Sequence, residues 1–480
     1  MDEKEYLINV QDKEIIEFIA KNEYKKGNIK ITKVDKDDNN IVLNDVEFDL
    51  IDSDNNIVRK IKTDSKGEAY ISNIKIGKYI LRETKTKNEY CLCEDKEIEV
   101  GWNKTSNILI ENEKKKGQLE IYKIDQEDKA IKINGVIFEL IDLNGTVVER
   151  LTTNSNGYAI SKKLPIGEYY LKEIKTDNKY VLDNKIIKID IKHNKISTQM
   201  IENARKKATI KVIKKSSNYS HVLNINKGAA LEGTIFEIYN SNNDLVDIII
   251  TNENGEAESK KLDIGRYKVK EKKATKGYLL NDNDFMINLT EDNQVKILNV
   301  ENDPIIPEVK IEKKGQEFAE RNEEIKYEFN IKNNSNTSLD EFYLKENLPY
   351  KQIKATKLIT GIYNENINYK IYYKTEDSDY IFLKQVNSLT SEYIDLDYIS
   401  NEKSIIEIKI EYGKVPKEFK SVINPTLYVK VNDNVKKDEY IYNVAELYGT
   451  IEEFKIKDKS VYTTQIREKE IIKKLPKTGC

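Results

Sequence analysis

Apolar and polar residues alternate in short runs along this chain, as in Ile29-Lys30-Ile31-Thr32 and Leu119-Glu120-Ile121-Tyr122. A period of two sends every second side chain to one face, so these runs predict half-buried β-strands. Asn, Asp and Gly interrupt the runs at short intervals, where turns are expected. Apolar residues at helical spacing are scarce. The 30 Tyr and 11 Phe, with many Ile, Val and Thr, suit a pleated surface. The predicted fold class is all-β, built of sandwiches whose outer faces are wet.

The pattern repeats three times in one order. A strand led by Gly or Ala ends in lysine: Gly27 to Lys33, Gly117 to Lys123, Ala208 to Lys214. A strand with a central Phe follows (Phe48, Phe138, Phe236), then a Gly turn such as Thr63-Asp64-Ser65-Lys66-Gly67. Next, Ile76-Gly77-Lys78-Tyr79 and its two counterparts open a strand that ends at Glu83, Glu173 or Glu271. A last strand closes on Glu-Asn, with Asn112, Asn203 and Asn302. The lysines stand 90 and 91 residues apart, enough for each unit to bury its own core, so the units read as beads in series forming a stiff rod. The boundaries expected are 27–116, 117–207 and 208–303. Residues 1–26 match the end of a repeat and read as the last strands of a truncated earlier unit. Residues 304–465 depart from the repeat and read as an Ig-like region, one larger sandwich or two small ones, followed by a linker at 466–480.

Composition narrows the function. Lys and Arg number 80 against 83 Asp and Glu, a near balance that speaks against a nucleic-acid partner. Two histidines, His193 and His221, leave little for His-dependent hydrolysis, and no metal site or cofactor is expected. Three cysteines cannot build a disulfide framework. Cys91 and Cys93 are expected on one face of a strand and inert. Asp52-Ser53-Asp54-Asn55-Asn56 begins like a calcium loop, but Ile57 stands where Gly is required, so a hairpin turn is expected.

The chemistry lies in three triads: Lys33/Glu83/Asn112, Lys123/Glu173/Asn203 and Lys214/Glu271/Asn302. First and last strands can lie side by side, with Lys and Asn facing inward and Glu above them. Burial drives a lysine towards its neutral, nucleophilic amine and a glutamic acid towards its protonated form. Attack of the amine on the Asn carbonyl, with Glu shuttling the proton, expels ammonia and leaves a neutral amide. The bond would span 79, 80 and 88 residues, and by loop entropy each contributes about 4–5 kcal/mol. Each unit acts once on itself, so this is maturation rather than enzymology.

These units resemble the SpaA/CnaB-type prealbumin-like domains of Gram-positive surface adhesins and pilins. In that family a first-strand Lys, a Glu after the tyrosine strand and a last-strand Asn form an intramolecular isopeptide bond, and by position those are the triads above. The family's Pro-x-Gly-Tyr after the Glu survives only as Lys276-Gly277-Tyr278, with Asn88-Glu89-Tyr90 and Asn178-Lys179-Tyr180 in the other units. That loop is expected to lie away from the chemistry, and the insert Ser216–Gly228 leaves the third unit's geometry the least defined. Residues 304–465 look like the Ig-like domains of such surfaces, where Lys313 or Lys314 with Asn443, and Glu346 as acid, form an unrepeated fourth candidate.

The chain ends Leu475-Pro476-Lys477-Thr478-Gly479-Cys480, which resembles the LPxTG signal of sortase substrates. The resemblance implies cleavage after Thr478 and transfer to peptidoglycan, making sortase and the cell wall the expected partners. Neither a signal peptide nor the usual apolar tail is in this sequence, and truncation at both ends is the expectation. The whole reads as a secreted, wall-anchored adhesin or stalk. One alternative is a basal or minor pilin, since no Tyr-Pro-Lys type polymerising motif is found. Another is a module gripping host matrix or another cell-surface ligand, with its binding head missing from this chain. A tethered enzyme has no nucleophile constellation to support it.

Overall fold

A computed structural model describes residues 5–468, and the chain divides into two compact units between Lys206 and Lys207. The first holds two β-sandwiches; the second holds a third of the same kind and a larger one.

In the first sandwich, Glu68–Lys75, Lys26–Asp35 and Thr105–Asn112 form one sheet. The facing sheet has the order Ile57–Lys62, Glu47–Ile51, Gly77–Lys85, Lys96–Val100. The first and last strands are parallel neighbours, pairing Lys33 with Ile110 and Asp35 with Asn112. A parallel pair needs a long crossover, and here the whole domain supplies it. The second and third sandwiches repeat this plan, pairing Lys123 with Ile201 and Lys214 with Val300. Each has its own apolar core, around Phe48, Phe138 and Phe236. Asp52 closes the expected hairpin turn, its Oδ1 accepting the N–H of Asp54 and Asn56.

Residues 305–466 share a single core, so this region is one sandwich. Its five-stranded sheet runs Val309–Lys314, Glu324–Asn333, Thr426–Val431, Ile353–Ile359, Tyr393–Asp395. The seven-stranded sheet runs Phe318–Ala319, Phe454–Ile466, Tyr440–Ile451, Glu341–Asn347, Ile405–Glu411, Asn368–Thr375, Ile381–Asn387.

Two sequence expectations fail here. Residues 5–25 contain no strand, and Leu7 and Ile15 are exposed. The repeat-end pattern is present, but a strand exists only by pairing, and among the described residues these have no partner strand. Cys91 and Cys93 lie in a loop after Tyr90, not on a strand. The thiol of Cys93 is pushed up to about 12, chiefly by burial, which keeps it unreactive. Among the described residues no helix is long and apolar enough to cross a membrane. The LPxTG residues Leu475, Pro476, Lys477, Thr478 and Gly479 lie outside the described residues.

Candidate functional site: three buried Lys-Glu-Asn triads

Period-two alternation carries each triad residue into the core. Ile29, Ile31 and Lys33 point the same way and are each 0% exposed. Leu119-x-Ile121-x-Lys123 and Ile210-x-Val212-x-Lys214 do the same. On the facing sheet Tyr79-x-Leu81-x-Glu83 alternates inward, as do the strands that carry Glu173 and Glu271. Ile110, Ile201 and Val300 precede Asn112, Asn203 and Asn302 by two and share their inward face. A residue at that phase cannot reach water without turning its core neighbours outward.

The structure brings all nine predicted residues together in threes. Lys33 Nζ lies 3.3 Å from Glu83 Oε2 and donates to Asn112 Oδ1. The Asn112 Nδ2 donates to Glu83 Oε1 at 2.6 Å and to Thr86 Oγ1 at 2.8 Å. In the second unit Lys123 Nζ lies 2.7 Å from Glu173 Oε2 and 2.6 Å from Asn203 Oδ1. The Asn203 Nδ2 donates to Glu173 Oε1 at 2.6 Å and to Thr176 Oγ1 at 2.9 Å. In the third, Lys214 Nζ is 2.7 Å from Glu271 Oε2 and donates to Asn302 Oδ1, while Asn302 Nδ2 donates to Glu271 Oε1 at 2.6 Å. The insert after Lys214 leaves this arrangement intact. Burial lowers the pKa of all three lysines, and the facing glutamate opposes it only in part.

Several partners carry no role in the sequence reading. Phe48, Phe138 and Phe236 pair across the sheet with Glu83, Glu173 and Glu271, and each ring centroid lies 5.7 Å from the lysine nitrogen. They form an apolar floor that keeps water from the amine. The repeated Phe was the available signal. Gly67, Gly157 and Gly255 back onto the lysine strand: their φ values are +67°, +65° and +71°. A Cβ there would sit 2.7, 2.3 and 2.4 Å from the carbonyl oxygens of Lys33, Lys123 and Lys214, so only glycine fits. Thr86 and Thr176 have no counterpart in the third unit, where Ala274 stands.

The tyrosine loop also lies beside the site, contrary to the sequence expectation. Tyr90 donates to Asp35 Oδ2 at 2.6 Å, two residues past Lys33, and the Cys93 N–H donates to Glu83 Oε2 at 2.8 Å. Lys114 completes this clasp, 2.9 Å from Asp35. Tyr180 and Arg205 hold Asp125 in the same way, at 2.8 and 2.6 Å. Asp35 and Asp125 are separated from their tyrosines by 55 residues, too far for local spacing to reveal the contact.

Residues 27–114, 117–205 and 210–304 each match the SpaA prealbumin-like fold domain, together more than half of the 480 residues. The chain belongs to the SpaA prealbumin-like domain family. The chain is also similar to three further proteins. Over 57 residues it is 49% identical to the trypsin-resistant surface T6 protein of Streptococcus pyogenes serotype M6, which is 12% of this chain and 11% of that relative. The Bacillus anthracis TIE protein is 29% identical with a TM-score of 0.50, covering 58% of this chain and 51% of that one. BcpA, the major pilin subunit of Bacillus cereus, is 15% identical with a TM-score of 0.30, over 58% of this chain and 100% of that one. The chain thus spans about half the length of the TIE protein and 11% of the curated relative.

Proposed function

We propose that this SpaA-type protein is a wall-anchored surface stalk whose three SpaA domains weld themselves shut by Lys–Asn isopeptide bonds. One observation carries the reading: in every triad the two glutamate oxygens are divided between the reacting nitrogens. Oε2 faces the lysine amine and Oε1 faces the Asn Nδ2. The neutral amine of Lys33 attacks Cγ of Asn112; a new C–N bond forms and the bond from Cγ to Nδ2 breaks. Glu83 takes the proton that the amine loses and passes it to Nδ2, which leaves as ammonia. Lys123/Glu173/Asn203 and Lys214/Glu271/Asn302 follow the same course. No external reagent enters, and each site reacts once.

Energetics favour this over a purely structural pair. A buried ion pair contributes little stability beyond what apolar residues would give, because desolvation offsets its Coulomb gain. A neutral amide carries no such penalty. Surface location and sortase attachment rest on Leu475-Pro476-Lys477-Thr478-Gly479 and on the similarity to a surface protein over 57 residues. The partners proposed are sortase and peptidoglycan.

The test is peptide mapping of the denatured full chain by mass spectrometry. Branched peptides joining Lys33 to Asn112, Lys123 to Asn203 and Lys214 to Asn302, each lighter by one ammonia, are expected. Linear peptides at all three positions defeat the proposal.

A further inference from the structure

The larger sandwich at 305–466 lies outside the three SpaA matches, yet it holds a similar cluster in a different topology. Val309, Ile311 and Lys313 alternate inward on its first strand, which places Lys313 in the core by the rule that buries Lys33. Lys314, one step on, is 63% exposed and is thereby excluded. Phe342, Leu344 and Glu346 alternate inward, as do Ile441, Asn443 and Ala445. Lys313 Nζ lies 2.6 and 2.7 Å from the two oxygens of Glu346. It also sits 4.8 Å from the ring of Tyr327 and 5.1 Å from that of Phe329, an apolar floor like that of the SpaA triads. Burial lowers the Lys313 ammonium to about 8 and raises the carboxyl of Glu346, each opposed by the other.

Asn443 supplies the independent observation. It is 0% exposed; among the described residues its Nδ2 and Oδ1 complete no well-formed hydrogen bond, although its side chain lies within reach of the Glu346 carboxyl and the Tyr327 hydroxyl. Its strand pairs with that of Glu346, whose opposite residue is Ala445. Asn443 therefore shares the inward face with Glu346, two residues along. A buried carboxamide set against an ion pair without a well-formed hydrogen bond of its own is unfavourable as a packing device. We propose that Lys313 and Asn443 form a fourth isopeptide bond, with Glu346 relaying the proton.

The amine of Lys313 attacks Cγ of Asn443, the bond to Nδ2 breaks, and Glu346 carries the amine's proton to the departing ammonia. The topology differs from that of the SpaA domains. There Lys and Asn are neighbours in one sheet with Glu opposite; here Glu and Asn share the seven-stranded sheet and Lys comes from the five-stranded one. The bond would rivet the two layers to each other rather than two adjacent strands.

The inference uses the chemistry proposed for the SpaA domains, but the two readings can fail separately because each bond has its own branched peptide. In the full-length wild-type chain, mapping is expected to show one branched peptide joining Lys313 to Asn443, lighter by one ammonia than its linear parts. Glu346→Gln is expected to remove that peptide and leave the three SpaA branches, which also report that the chain has folded. Separate linear peptides containing Lys313 and Asn443 in the wild type, with SpaA branches present, overturn the fourth bond alone. Absence of the SpaA branches with this one present overturns the other reading instead.

Discussion

Lysine can usually escape a core by letting its long stem carry the charge to water. Lys33, Lys123 and Lys214 are denied that route: the strand phase aims them inward, and the phenylalanine floor and facing sheet close the exits. Their amines are left with one carboxyl and one carboxamide each. The division of labour between the glutamate oxygens makes a sharp demand on Glu173. Glu173→Gln keeps the shape but turns one of the two acceptor oxygens into a donor NH2, and it cannot accept and return a proton. Its Lys123 and Asn203 are expected to appear in linear peptides, while the first and third domains remain branched. Loss of an 80-residue closed loop should cost the second domain about 4–5 kcal/mol. Amide exchange across residues 117–205 should accelerate, with 27–114 unchanged. An equal exchange rate in variant and wild type would show that the triad contributes nothing by crosslinking.

The connecting elements carry a different chemistry. Burial pushes the Asp35 carboxyl up, but hydrogen bonds from Tyr90, Lys114 and the Asp37 and Asp38 N–H groups outweigh it and hold the group at about 2, below its ordinary 3.8. Asp125 is also held at about 2: burial opposes, and Arg205, Tyr180 and two backbone N–H groups prevail. A depressed carboxylate stabilises the folded form fully above the unfolded value, and that contribution is lost as pH falls through the folded one. The first and second clasps should therefore loosen between about pH 4 and pH 2. Exchange at the loops around Tyr90 and Tyr180 measures it, and Asp125→Asn should abolish the acid response of the second alone. The third domain is an internal control, since Ser216 takes the aspartate's place beside Asn302 and the Tyr278 hydroxyl has no hydrogen-bond partner among the described residues. These clasps were illegible in the sequence because their identities drift, Asp to Ser and Lys to Arg to Pro, while the Lys, Glu and Asn of the triads do not. Strands and triads were legible because three copies in register separate signal from a background rich in the same residues. The larger sandwich has no second copy. Its strand Glu324–Asn333 pairs with Thr426–Val431, a hundred residues on, a partnership that local pattern cannot announce.

Across the whole chain the first and last strands of each SpaA domain are the places where the polypeptide enters and leaves. A bond between them puts each domain's 79-, 80- or 88-residue loop outside the path of a force applied at the termini. A parallel ladder without the bond would shear or peel once its hydrogen bonds failed, and the loop would then pay out. Stretched chain spans at most about 3.3–3.6 Å per residue, so an unlocked domain should lengthen the tether by roughly 250–300 Å. Single-molecule pulling on the wild type is expected to show no step of that size from any of the three. Glu83→Gln, Glu173→Gln and Glu271→Gln should each restore one such step, singly and additively. Steps of full domain length in the wild type would mean that tension runs through the folded strands, and a stalk built on covalent ties would have to be abandoned.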